Sequence, residues 1–364
     1  MSLKPNVIVI SGPTATGKSS LAVQLIKRLR LEKVCDSEII NADSVQVYKG
    51  FDIGACKPSI ECLSAVPHHL MSYCEGHEPF NAGAFCDRAR KLVYDINARG
   101  SVPFVVGGTG LYIRSLLCGI ANVPVITNEA KKLVSNYEEQ LRVNGADEKL
   151  LRQQMHKWLS EYDKCLADRL HENDIVRIRR ALLVVLSSRA ELCGQSSFDS
   201  FCDIQDAHAH GDRPFRALVL VLMPSRDVLY ANINKRVDEM LELGLVSEVK
   251  SLRKLFSRDI KPFGAIGYRH ACDYLDGVVD YCKMVELIKR DTRRYAKRQV
   301  TWWSNQPKSL GWDNIGELQC DVAYTGGVCN LAVSTSKLVF DFLSGNLTGR
   351  CSDICVFYVD NIYL

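Results

Sequence analysis

The sequence contains no apolar stretch approaching the roughly 20 residues that a bilayer-spanning helix needs, which argues against a helical membrane protein. Its opening does not read as a secretory leader. Residues 1–5 are followed by a short apolar run, 7–10, and then a glycine turn. A cytoplasmic protein is expected. An excess of one charge is also missing: 46 Lys and Arg against 42 Asp and Glu leave +4, too little to name a partner, so local clusters must carry that argument. The 15 cysteines include no C-x-x-C pair, so zinc-ligand spacing is absent. In a reducing compartment they read as small buried hydrophobes or free thiols. There is no internal repeat. At 364 residues, 47% hydrophobic and 24% charged, the chain has the composition of a globular protein with room for two or three domains.

The first 120 residues alternate between strand and helix signals. Residues 7–10 form a short β-branched run, 38–43 a second and 102–106 a third. Between and after them lie stretches of helical spacing at 19–31, 81–99 and 111–117, the second closed by Gly100. Such alternation implies a parallel sheet with helices on its faces. From about 128 to 192 strand signals give way to helical spacing, which reads as an all-helical insertion left through a polar loop at 196–212. Residues 216–223 read as a strand resuming the sheet. Long helices are expected at roughly 226–256 and 282–304.

Gly12-Pro13-Thr14-Ala15-Thr16-Gly17-Lys18-Ser19 fits G-x-x-x-x-G-K-[ST], with a strand before it and a helix after. Glycines let the backbone wrap phosphate oxygens, successive N–H groups and the helix N-terminus offer positive potential, Lys18 adds a point charge, and Ser19 can ligate magnesium. This pattern gives phosphate binding, not a reaction. Asp43, in Asp43-Ser44-Val45-Gln46, follows the second strand at the sheet edge where ligands bind in open α/β folds. Spacing alone leaves it a metal ligand, a general base or a helix cap. Gly107-Gly108-Thr109-Gly110 follows the third strand, with Thr109 as either a hydroxyl facing a ligand or an N-cap. Lys289, Arg290, Arg293, Arg294, Lys297 and Arg298 crowd one helical stretch beside Tyr295, Trp302 and Trp303. Arg177, Arg179 and Arg180 form a smaller cluster. Two such clusters with aromatics favour contact with a nucleic-acid backbone over solvated helix faces. His68-His69 and His208–His210 lack partner ligands and read as structural.

The ordered pieces GPTATGKS, INADSVQVYKGFDIGACKPS, VPHHL, GSVPFVVGGTGLYI, HENDIVRIRRAL, NKRVDEML, AIGYRH and TRRYAKRQVTW resemble the tRNA dimethylallyltransferases, from about residue 7 to 303. The resemblance implies a P-loop NTPase-like α/β fold with a helical tRNA-contacting insertion. Its boundaries are a discontinuous core at 1–120 and 212–310, the insertion at 121–211, and an extension of unknown role at 311–364. It implies transfer of a dimethylallyl group from its pyrophosphate, with Mg2+, to the exocyclic amine of adenosine 37 beside the tRNA anticodon. Asp43 matches the general base and Thr109 the residue holding amine and base in register. Gly12, Thr14, Ala15, Thr16, Gly17, Lys18 and Ser19, with Arg236, match the pyrophosphate site. Matches to tRNA contacts are Asp43, Ser44, Val45, Gln46, Thr109, Lys131, the stretch Val176, Arg177, Ile178, Arg179, Arg180, and the stretch Ala265, Ile266, Gly267, Tyr268, Arg269, His270. Arg294, Lys297 and Arg298 join them from the basic helix. Lys131 stands where the family commonly has arginine, keeping charge without the bidentate fork. Cys56 departs from the usual pattern.

No histidine follows His270, so a C-terminal Cys/His zinc finger is absent and the bacterial type is expected, acting as a monomer. The tail is either a poorly ordered extension or an extra strand pair. Rival readings are an adenylate isopentenyltransferase acting on a free nucleotide, a P-loop kinase, and a non-catalytic tRNA binder.

Overall fold

The computed structural model describes residues 4–120, 124–191, 213–309, 315–319, 327–345 and 354–360. Two compact units emerge, Met1–Gly119 with Asp212–Leu364, and Ile120–Gly211.

The first unit opens with β1 (Asn6–Ser11), α1 (Lys18–Leu31), β2 (Ser37–Asn41), α2 (Ile60–Ala65), the two-residue β3 (His68–His69), α3 (Ala82–Ala98), β4 (Val102–Val106) and α4 (Gly110–Cys118). These strands form because their β-branched and aromatic residues are buried on both faces: Val7, Ile8, Val9 and Ile10 are all fully buried. Asn81 starts α3 by accepting the Ala84 N–H on its side chain. The seven strands order as β3-β2-β4-β1-β5-β7-β6, and every pairing is parallel. Register sets Ile8 opposite both Phe104 and Leu218, and Val106 opposite both Ile10 and Asn41. The loops after β1, β2 and β4 therefore open at one edge of the sheet, the edge where ligands bind in such folds.

The second unit contains α5 (Asn128–Val143), α6 (Glu148–Tyr162), α7 (Lys164–Asp168) and α8 (Ile175–Glu191). They pack around Leu151, Met155, Leu159, Ile178 and Leu182. Glu138, nearly buried on α5, is held by both Arg179 nitrogens at 2.6 and 2.9 Å. The polar stretch 196–212, with His208–His210, lies outside the described residues.

The first unit resumes with β5 (Arg216–Leu222), α9 (Arg226–Glu242), α10 (Leu245–Leu252), a short 3-10 turn (Lys261–Gly264), α11 (Tyr268–Leu275), α12 (Tyr281–Ser309), β6 (Ile315–Gln319), α13 (Gly327–Leu343) and β7 (Ile354–Asp360). The single helix expected over 226–256 is two helices, because Gly244 takes φ 98 between them and the chain turns there. The tail contributes to the sheet. β7 lies between β5 and β6, and Leu338, Val339 and Phe342 of α13 join the core around α1. The Arg216 guanidinium sits 4.2 Å over the Phe342 ring, and the Tyr358 hydroxyl donates to the Trp303 carbonyl at 2.6 Å. The reading of the cysteines as thiols holds for Cys35, Cys56, Cys62, Cys74 and Cys272, but Cys165 is disulfide-bonded.

Candidate active site

The three sheet-edge loops meet around a cavity of about 600 Å³ in the first unit. The loop 12–17 bends through left-handed backbone at Gly12, Ala15 and Gly17 before α1 begins at Lys18, a shape that suits anion-binding amides. Thr16 Oγ1 donates to the Pro13 carbonyl at 2.9 Å and closes the turn. Thr14, Ala15, Thr16, Gly17, Lys18 and Ser19 all line the cavity; Gly12 does not. Burial, and then the nearby Arg236 guanidinium, pull the Lys18 ammonium down to about 7 against the Asp43 carboxylate, which raises it. Arg236 projects from α9 with Nη1 3.4 Å from Thr14 Oγ1, so the guanidinium reaches the phosphate loop.

Asp43 lines the same cavity from the loop after β2. Its Oδ1 accepts the N–H groups of Val45 at 2.8 Å and Gln46 at 3.2 Å, a local turn that aims and anchors the carboxylate. Gln46 in turn donates from Nε2 to the carbonyls of Ala55 and Cys56 at 3.0 and 3.1 Å. The third loop passes so close to the second that a Cβ on Gly107 would fall 2.2 Å from the Ala42 carbonyl oxygen. Thr109 precedes α4 but caps no helix N–H, and its Oγ1 is buried without a hydrogen-bond partner. The Tyr295 hydroxyl interacts with it; burial and then Asp43 raise that phenol, while Arg298 and Thr109 lower it.

One residue of this site carried no role in the sequence reading. Gln299 on α12 is buried and ties two loops together: Oε1 accepts the Thr14 N–H at 2.9 Å, and Nε2 donates to the Gly108 carbonyl at 2.8 Å. Its only sequence signal is its place between the basic run and Trp302.

The basic cluster on α12 divides by partner. Lys289 is paired with Asp238 at 2.6 Å, Arg290 with Asp291 at 2.9 Å, and Arg293 donates to Asn234 at 2.8 Å. Arg294, Lys297 and Arg298 are exposed, Arg294 with only a long 3.7 Å pairing to Asp291, and Arg294 and Arg298 line the cavity. Within the stretch 265–270, Ala265, Ile266 and Arg269 line the cavity, whereas Gly267, Tyr268 and His270 are buried. Tyr268 gives its hydroxyl to Glu248 at 2.7 Å, and His270 Nε2 meets Asp291 at 3.1 Å, so neither side chain is available to a ligand. Arg269 also pairs with Asp291 at 2.8 Å. In the second unit Lys131, Val176, Arg177 and Arg180 are exposed, Arg179 is committed to Glu138, and Ile178 is core, which removes it as a surface contact. His69 Nε2 meets Glu38 at 2.7 Å and His68 Nδ1 meets the Val66 carbonyl at 2.7 Å, structural partners in both cases. No helix among the described residues is long and apolar enough to cross a membrane.

The chain is similar to known proteins over most of its length. A family model described as IPP transferase matches residues 46–306. The tRNA dimethylallyltransferase of Geobacter sulfurreducens is 40% identical over 310 residues, 85% of this chain and 92% of its own length. The tRNA dimethylallyltransferase 1 of Syntrophotalea carbinolica is 42% identical over 316 residues, covering 86% of this chain and 93% of its own length. Among solved structures, the full-length tRNA isopentenylpyrophosphate transferase of Bacillus halodurans aligns with a TM-score of 0.60 and 32% identity, over 94% of this chain and 97% of that one. A eukaryotic dimethylallyltransferase acting on tRNA aligns at 0.65 and 25%, over 96% and 82%.

Proposed function

The chain belongs to the IPP transferase family, and from that premise we infer that it transfers a dimethylallyl group to tRNA, with the sheet-edge cavity as the reaction chamber. The donor is dimethylallyl pyrophosphate and the acceptor is the exocyclic amine of adenosine 37. The observation that carries this reading is that a phosphate-binding loop and the Asp43 carboxylate line one cavity. A leaving pyrophosphate and a base for the nucleophile need that juxtaposition.

The amine is a weak nucleophile because its lone pair is delocalised into the purine ring. As its nitrogen bonds to the prenyl C1, the bond from C1 to the pyrophosphate oxygen breaks, and the amine proton passes to Asp43. Thr109, next to the lining residues Gly107 and Gly108 though not itself on the cavity wall, offers a buried hydroxyl beside the Tyr295 phenol to hold the amine against that base. Charge growing on the leaving group is met by the loop N–H groups, Lys18, Thr14 and Arg236. Lys18, pulled down to about 7 by burial and Arg236, regains its full charge beside a bound anion.

A divalent cation fits the donor set. Ser19 supplies a hydroxyl oxygen on the cavity wall. No group of three or more His, Cys, Asp or Glu among the described residues forms a cage. Mg2+ would be held there by the Ser19 hydroxyl together with phosphate oxygens. When bound it would neutralise pyrophosphate charge.

The target base must leave its stack to reach the cavity. Ser44, Val45 and Gln46 then meet the nucleotide beside Asp43. Ala265, Ile266 and Arg269 line its approach, and Arg294, Lys297 and Arg298 contact phosphates. In the helical unit, Lys131, Val176, Arg177 and Arg180 are the exposed candidates for the anticodon arm. The protein works in the cytoplasm as a monomer. The reading is tested by incubating it with dimethylallyl pyrophosphate, Mg2+ and either an anticodon stem-loop carrying adenosine 37 or free AMP, followed by mass spectrometry of nucleosides. Prenylated adenosine in the RNA alone is expected. Prenylated AMP would transfer the protein to a rival class, as would a phosphorylated product in a parallel incubation with ATP in place of dimethylallyl pyrophosphate.

A further inference from the structure

One wall of the cavity, Gly54 to Cys56, is fixed by groups that do not themselves line it. The Glu248 carboxylate, on α10, accepts three consecutive backbone N–H groups: Asp52 at 3.0 Å, Ile53 at 2.7 Å and Gly54 at 3.1 Å. It also accepts the Tyr268 hydroxyl at 2.7 Å, and that hydroxyl accepts the next amide, Ala55 N–H, at 3.2 Å. Four successive amides of one loop thus end on two side chains from α10 and α11. Gly54 is required at this junction, since a Cβ there would lie 2.5 Å from the Tyr268 ring. On the far side Lys57 Nζ donates to the Tyr48 carbonyl at 2.6 Å and to Asp52 Oδ1 and Ser72 Oγ at 2.7 Å.

Between these anchors Cys56 adopts φ 50, a left-handed conformation that a side chain such as cysteine tolerates only where its surroundings over-determine it. The outcome is a pair of adjacent carbonyls, Ala55 and Cys56, which both accept from Gln46 Nε2. The Gln46 amide N–H in turn binds Asp43. The chain of contacts therefore runs from Glu248, through the loop, to the residue next to the catalytic carboxylate.

We propose that Glu248 is a positioning residue for prenyl transfer, holding the 52–56 loop together with Tyr268 so that the Gln46 carboxamide faces the acceptor nucleotide in one orientation. This rests on the reading of Gln46 as a nucleotide contact. The chemistry demands a carboxylate. Three N–H groups and one O–H all point at the same side chain, and only an ionised carboxylate offers acceptors throughout. A glutamine would set its own NH2 against a backbone N–H.

The experiment is a kinetic cycle on the full-length protein with Glu248→Gln, Gln46→Ala and the double variant, varying tRNA and dimethylallyl pyrophosphate separately. Glu248→Gln is expected to lower kcat/KM for tRNA by about tenfold or more, with KM for dimethylallyl pyrophosphate nearly unchanged. In the double variant the two losses should fail to multiply, because both remove the same oriented carboxamide. Tyr268→Phe keeps the ring and should show a smaller loss in the same direction; it takes the place of Glu248→Gln in the cycle if that variant does not fold. A Glu248→Gln protein with a lowered melting temperature but wild-type kcat/KM for tRNA would overturn the proposal, as would losses that multiply fully. Wild-type protein that prenylates no tRNA would overturn the functional reading itself, a separate outcome visible before any variant is made.

Discussion

Replacing Gln299 by leucine should loosen the phosphate loop without emptying the space behind it. The side chain is 6% exposed and makes two hydrogen bonds, from Thr14 N–H at 2.9 Å and to the Gly108 carbonyl at 2.8 Å. Leucine nearly matches its volume, so the cavity contribution to any loss is small. What remains is two hydrogen bonds and two backbone groups left without their partner. Taking ~1 kcal/mol net for each bond, and more if the orphaned groups stay dry, gives a loss of about 2–4 kcal/mol. If half of that is felt in the reacting complex, kcat/KM for dimethylallyl pyrophosphate falls by roughly 5- to 30-fold. Gln299→Glu keeps an acceptor for Thr14 N–H but sets a carboxylate against the Gly108 carbonyl and beside the pyrophosphate, so its activity should fall further. Steady-state kinetics with thermal unfolding of each variant reads both effects. A Gln299→Leu enzyme with wild-type kinetics and an unchanged melting temperature would refute the assignment of Gln299 as the strut between the two loops.

Arg294→Glu should weaken tRNA binding and flatten its salt dependence by about one phosphate contact, whereas Lys289→Ala, whose ammonium is committed to Asp238, should leave both unchanged. Titrations at several salt concentrations separate the two, and equal effects would discredit the division of the basic helix. Lys18, held near 7 by burial and Arg236, should be recharged by a bound pyrophosphate. Binding above about pH 7 should then take up a proton, and affinity should weaken as pH rises further. Calorimetry in buffers of different ionisation enthalpy measures that uptake. Lys18→Met should abolish the Lys18 share, and an uptake unaffected by the substitution would place the proton elsewhere.

Local chemistry made much of this site legible. The phosphate loop, Asp43 and Thr109 each follow a strand signal within a few residues, and the parallel register carries all three to one edge. Their convergence followed once the alternation of strand and helix was read. What stayed hidden depends on distant partners. Gln299 meets Thr14 across 285 residues, and Glu248 meets Gly54 across 194. No pattern in either neighbourhood announces the other. The basic run looked uniform because sequence does not tell a spent cation from an available one; Asp238, Asp291 and Asn234 make that choice in the folded chain. Tyr268 and Ile178 were carried into the tRNA contacts as members of matching stretches, and burial removes both side chains. The tail lacked a clear period, yet β7 lies between two other strands, a setting that weakens polar alternation.

The central claim is that Asp43 takes the amine proton in a cavity that holds both substrates. Its most direct test is a single-turnover reaction of Asp43→Ala with tRNA and dimethylallyl pyrophosphate, paired with a tRNA binding titration of the same protein. The account predicts that prenylated adenosine disappears by several orders of magnitude while tRNA binding stays close to that of the unaltered protein. Turnover that survives the loss of the carboxylate would contradict it.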